Sequence, residues 1–153
     1  MKVFRTYMCA GLLALVLVAM QGCSFSTANM SSLKTATDKE GKKETTSFKA
    51  GETLCGLAEI SNNPGKVKVK FALVAEDVKG LTKGETLKGT DLTVDLDGSG
   101  VATFSVAVAE GFPGGAYKLN ADMINEAGEK KDSKSVNVTV AAAAAPAHTG
   151  EPE

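Results

Sequence analysis

Apolar and polar positions alternate along most of the chain after its first third. The clearest run is Lys66 to Ala75, where Val67, Val69, Phe71 and Leu73 alternate with Lys66, Lys68, Lys70 and Ala72. Successive strand side chains point to opposite faces, so the run predicts a strand with one buried face and one wet face. The same period recurs in Leu92, Val94 and Leu96, in Ala102, Phe104, Val106 and Val108, in Tyr117, Leu119, Ala121 and Met123, and in Val136, Val138 and Val140. Leu54 to Ile60 is apolar on both faces, which predicts a strand without fixing its parity. Two shorter strands are predicted at Thr45–Lys49, with Phe48 inward, and at Glu85–Lys88.

Between these runs lie residues that turn the chain. Ser61-Asn62-Asn63-Pro64-Gly65 is a strong breaker, and Asn125-Glu126-Ala127-Gly128 another. Asp97-Gly98-Ser99-Gly100 reads as a tight hairpin. Glu76–Gly84 and Glu110–Gly115 read as loops. The result is seven or eight short antiparallel strands about ten residues apart, with no helix after the first 20 residues. That spacing predicts an all-β fold, a two-sheet sandwich. Its body, residues 45–140, is close in length to the ~100 residues of an immunoglobulin-like domain. Two landmarks, Asp97-Gly98-Ser99-Gly100-Val101-Ala102-Thr103-Phe104 and Pro113-Gly114-Gly115-Ala116-Tyr117-Lys118-Leu119, resemble those of bacterial Ig-like and macroglobulin-type sandwich modules. The resemblance implies that Tyr117 is a tyrosine corner, its hydroxyl tying a turn to the strand.

The start of the chain has another character. Lys2 and Arg5 precede an apolar run, Ala10 to Met20, and then Gln21-Gly22-Cys23. A basic head, a short apolar run and a small residue before the cut form a secretory signal, 1–22. The run is too short for a membrane-spanning helix, which needs about 20 residues. Gly22-Cys23 at this border resembles a bacterial lipoprotein precursor. That likeness implies a diacylglyceryl thioether and an acylated amine at Cys23. With Ser24 rather than Asp following, it further implies sorting to the outer membrane. The alternative is ordinary periplasmic or secreted export with a cut after Ser26-Thr27-Ala28. Residues 23–44, rich in Ser, Thr, Lys and Asp, read as a flexible tether reaching roughly 25 Å. Residues 141–153, with five consecutive Ala and two Pro, read as a disordered tail.

Composition narrows the function. The precursor has 17 basic and 18 acidic residues; without Lys2 and Arg5, 15 basic residues remain against 18 acidic. A slightly acidic chain argues against a nucleic-acid partner. There is no Trp, so the aromatic platforms that hold sugars and bases gain no support. The one His, His148, sits in the tail, which leaves a nucleophilic Ser without the usual base. Cofactors and catalytic residues are therefore not expected, and the chain is expected not to be an enzyme.

Asp95-Leu96-Asp97-Gly98 imitates the start of a calcium loop, but Val106 stands where the bidentate Glu should be. Lys66, Lys68 and Lys70 form a basic stripe, either a solvated face or a contact for an anionic partner. Cys55 is left without a partner if Cys23 carries lipid, and reads as a small apolar residue buried in a strand. Its alternatives are a disulfide to Cys23 and a reactive thiol. Taken together, these features suggest an envelope protein anchored in the membrane by lipid. It would present an Ig-like domain for protein–protein contact or surface architecture, with the Glu76–Gly84 and Glu110–Gly115 loops foremost. The alternative is a binding module for an anionic glycan or a cation.

Overall fold

The computed structural model describes residues 28–142. The signal, Cys23 and nearly all of the tail lie outside the described residues. Eight strands follow one another: β1 (Asn29–Ala36), β2 (Ser47–Phe48), β3 (Thr53–Ser61), β4 (Lys66–Val78), β5 (Leu92–Asp97), β6 (Gly100–Ala107), β7 (Gly115–Asn125) and β8 (Lys130–Val140). They form a three-stranded sheet in the order β1-β3-β6 and a five-stranded sheet in the order β2-β8-β7-β4-β5. This is an immunoglobulin-like sandwich, with the expected alternation placing its core.

The buried row of β4, Val67, Val69, Phe71 and Leu73, lies beside that of β7, Tyr117, Leu119, Ala121 and Met123. The smaller sheet supplies Leu54, Ala58, Ile60, Ala102 and Phe104. Across the gap, the rings of Phe71 and Phe104 stack with centroids 5.7 Å apart. At Gly56 a Cβ would run into the Leu119 side chain, so glycine there is what lets Leu119 reach the opposite sheet. Burying each large apolar side chain contributes about 1.5–3 kcal/mol, which makes this inter-sheet core the main source of stability.

The N-terminal stretch departs from its tether reading. Asn29–Ala36 is β1, paired antiparallel with β3 from Asn29↔Ser61 to Ala36↔Cys55. A bulge between Met30 and Ser32 shifts the register. Met30 and Leu33 therefore both pack on the core at a spacing that is not even. Residues 37–45 then fold back over the outer face of the small sheet. Asp38 accepts the backbone N–H groups of Lys42 (2.9 Å) and Lys43 (2.7 Å), and Thr45 N–H donates to the Thr35 carbonyl at 3.0 Å. These hydrogen bonds, that from Lys42 foremost, hold the Asp38 carboxyl below the usual carboxylate range. The loop covers a second small cluster of Ala36, Cys55 and Leu57, with Gly41 against Leu57. That explains why both faces of β3 are apolar.

Three other expectations change. Asp97–Gly100 is not a hairpin: β5 belongs to the large sheet and β6 to the small one, so the turn arches from one layer to the other. Of Glu85–Lys88 only an isolated bridge, Val74↔Thr86, forms, while Glu76–Val78 continues β4 past a bulge between Ala75 and Asp77. The pairing is not wholly antiparallel, because β2 runs parallel to β8.

The arch at Gly98-Ser99 and the β3–β4 turn, which also changes layers, are tied by Asn63. Its side-chain amide donates to the Gly98 carbonyl at 2.8 Å, and its backbone N–H donates to Ser99 Oγ at 3.1 Å. Gly98 N–H donates to the Gly65 carbonyl at 2.9 Å. Asn63 is buried, so its loss leaves a carbonyl without its donor. Asn63→Ala is expected to lower the urea unfolding free energy by about 1–3 kcal/mol. An unchanged unfolding midpoint would show that the two turns hold without it.

Candidate functional site

Strand register brings the two sequence-nominated loops together. Val78 pairs with Gly115 at the end of β4, so residues 79–84 and 108–114 emerge side by side, at the opposite end of the sandwich from Asn29. Both loops are tied down. Leu81 N–H donates to the Val78 carbonyl (3.2 Å), Gly84 N–H to the Ala75 carbonyl (2.7 Å), and Thr82 N–H to the Glu85 carboxylate (3.0 Å). In the second loop, the buried Tyr117 hydroxyl donates to the Pro113 carbonyl at 2.6 Å. Phe112 meets the Tyr117 ring edge-on, with centroids 5.8 Å apart. Burial pushes the Tyr117 phenol above its ordinary pKa, which keeps it a donor. Gly115 takes φ +148°, and a Cβ there would strike the Asp77 carbonyl, so this convergence of strand ends requires glycine.

Glu76, at the root of the first loop, receives Lys118 at 2.6 Å and Lys83 at 3.3 Å. The hydrogen bond from Lys118, and then that from Lys83, draws its carboxyl below the ordinary range. No sequence rule pairs residues 42 positions apart, so this three-residue cluster appears only once β4 and β7 are in register. The two loops together form an end face with Lys79, Lys83 and Glu110 exposed.

The Lys stripe and the Asp95–Asp97 turn share a different location. Lys66 stands opposite Asp97 in the β4–β5 register and Lys68 opposite Asp95, and of these only Lys68 and Asp95 bring their charged atoms within 3.7 Å. Lys70 stands opposite Asp122 of β7, itself held by Lys130 (3.3 Å) and Ser133 (2.6 Å). Lys66, Lys68, Asp95, Asp97 and Glu126 line a shallow cleft of about 510 Å³. Two Lys on β4 face two Asp on β5, with Glu126 beside them, so the cleft offers neither an anion nor a cation a surface of one charge. Among the described residues no group of three or more His, Cys, Asp or Glu could hold a metal ion.

Cys55 is a free, buried thiol beneath the 37–45 loop. Burial pushes its pKa up, against a smaller opposing effect of Lys39. A buried, protonated thiol is a poor nucleophile. The loop over it was legible as Asp38-Lys39-Glu40-Gly41, a turn signal with Gly41 at φ +70°, but its charge masked the apolar cluster below.

No family model matches the chain, and no curated protein matches it. Among solved structures it is similar to an immunoglobulin-like protein from Pseudomonas aeruginosa, at 12% identity over 76% of this chain and 98% of that one, with a TM-score of 0.45. It is also similar to a Niemann-Pick type C2 protein from Japanese carpenter ant, at 16% identity over 78% of this chain and 97% of that one, with a TM-score of 0.43.

Two measurements check the local geometry. Tyr117→Phe should lower stability by about 0.5–1.5 kcal/mol in denaturant unfolding; identical curves would show that the Pro113 hydrogen bond adds nothing. Cys55 should resist thiol reagents in the native state and react on unfolding. Asp38→Ala, which releases the loop above it, should speed the native reaction. Asp38 titrates below its unfolded value, so its hold on the loop is complete above the usual carboxylate range and is lost as pH falls through the lowered pKa. Rapid labelling of the wild type at neutral pH would contradict this burial.

Proposed function

We propose that the chain is a non-enzymatic bacterial envelope protein, lipid-anchored at Cys23, whose Ig-like sandwich makes protein–protein contacts through its loop-bearing end. The observation that carries this reading is the basic, apolar and Gly22-Cys23 order of the first 23 residues, followed closely by a sandwich. Residues 24–28 separate Cys23 from β1, a reach of at most about 22 Å if fully extended. A domain so attached sits close to its membrane, not on a long stalk. The Lys79–Gly84 and Ala109–Gly114 loops are at the end away from the attachment, which supports them as the contact surface. The diacylglyceryl group and the amine-linked chain together exceed the two lipid chains that make such attachment stable. The mixed charge of the Lys66–Asp97 cleft weighs against the glycan or cation alternative.

Detergent phase partition tests the anchor. The wild-type protein should enter the detergent-rich phase of Triton X-114, and Cys23→Ser should move it to the aqueous phase. Globomycin should leave a larger precursor. A wild-type protein that stays wholly aqueous overturns the lipid anchor. Crosslinking from Lys83 in intact envelopes should capture a specific protein; capture of glycan alone would favour the binding-module alternative.

A further inference from the structure

Three of the four outer strand edges of the sandwich carry something that blocks further pairing. On β1, Met30 N–H is taken by the Asp132 carboxylate at 2.8 Å, Thr35 pairs with Thr45, and a bulge breaks the register. On β8, the two residues of β2 cover one end, and Lys130, Lys131 and Lys134 mark the other. On β5, the exposed Asp95 and Asp97 line a six-residue strand. The edge of β6 has none of these devices. Its eight residues, Gly-Val-Ala-Thr-Phe-Ser-Val-Ala, hold no charge, no proline and no bulge against β3. Sheets usually guard their edges with charges, prolines or bulges, because unpaired N–H and C=O groups template another strand.

The direction of those groups follows from the end of the ladder. Val108 N–H donates to the Glu52 carbonyl at 2.9 Å, and the Val108 carbonyl accepts from Gly51 at 2.8 Å. Backbone groups of alternate residues face the same side, so Ala102, Phe104 and Val106 bond to β3. Those of Val101, Thr103, Ser105 and Ala107 then face outward, and among the described residues no strand, bridge or loop pairs with them. Val101 is 51% exposed, one of two large apolar side chains left in solvent among the described residues.

We propose that this edge pairs antiparallel with the same edge of a second copy of the chain, joining two three-stranded sheets into one of six. Centred on Phe104, the two-fold pairing sets Val101 opposite the partner's Ala107 and Thr103 opposite the partner's Ser105. Each outward group meets its complement, and small hydroxyl side chains face each other. The row beside β6 contains one charged residue, Glu59, next to Val101. Antiparallel pairing offsets the two Glu59 carboxylates by roughly 20 Å along the strands, whereas parallel pairing would set them level, roughly 14 Å apart across the sheet. A self-matched, uncharged strand thus fits another copy better than a charged partner. The pairing does not rest on the lipid anchor; one membrane can hold both copies with their strands lying along its surface.

Sedimentation velocity of the purified full chain, in excess detergent micelles, reads the outcome across a hundredfold range of concentration. The wild type should shift from monomer to twice that protein mass. Thr103→Lys and Ser105→Lys should each keep it monomeric with unchanged circular dichroism, while Thr93→Lys on the β5 edge should not. Amide exchange supplies a second readout: the N–H groups of Thr103 and Ser105 should slow as concentration rises, while those of Ala102 and Phe104 stay slow throughout. A monomer at all concentrations with fast exchange at Thr103 and Ser105 overturns the proposal. A dimer that survives both lysine variants overturns it as well.

Discussion

The seam between the two sheets is the constraint to which the remaining structure is fitted. Phe71 reaches across from β4 to stack on Phe104 of β6, and Leu119 of β7 enters the space that Gly56 leaves open on β3. Four strands, two from each layer, meet there. Interiors pack at crystal-like density, so such a seam tolerates little change of volume. The layer spacing it fixes sets what the two crossing turns must span, and Asn63 satisfies the backbone groups exposed where they cross. It also fixes the register of β4 on β7, and hence the placement of Glu76 between Lys118 and Lys83.

Much of the fold was legible because burial follows a period of two wherever one face of a strand meets the core. The inward rows of β4, β6 and β7 were readable residue by residue. What alternation does not reveal is the partner of each strand. Asp97-Gly98-Ser99-Gly100 is short and turn-rich whether the chain reverses within one layer or steps to the other, so a hairpin and an arch share a sequence. β1 is not legible as a strand for two reasons. Its bulge breaks the period between Met30 and Leu33, and its outer face is polar like a linker. The 37–45 loop was hidden by its charges, although Asp38 and Gly41 supply ordinary turn chemistry.

The candidate sites show the same division between local and long-range information. The hydrogen bond of Tyr117 spans four residues and follows from a local motif. The surroundings of Lys66, Lys68 and Lys70 depend on strands about 30 and 50 residues away, since Asp97, Asp95 and Asp122 stand opposite them only once β5 and β7 are in register. In a sheet, a row of one charge is often half of a cross-strand set, since opposite charges on adjacent strands attract and like charges repel. The same reasoning gives the uncharged β6 edge its meaning, for there no neighbour supplies the missing half.

Where the chain enters and leaves the sandwich also has a mechanical consequence. Asn29 lies at the end carrying the Ser61–Gly65 turn, while Val140 pairs with Gly115 at the other end. Tension between the two termini therefore runs along the strands. It loads the β1–β3 ladder lengthwise, together with the parallel β2–β8 clasp of Thr139 to Thr46 and Ala141 to Phe48. Hydrogen bonds pulled in shear must fail together, whereas those peeled from one end fail in turn. A domain held at its start and tugged at its far end would for that reason resist extension more than its modest size suggests.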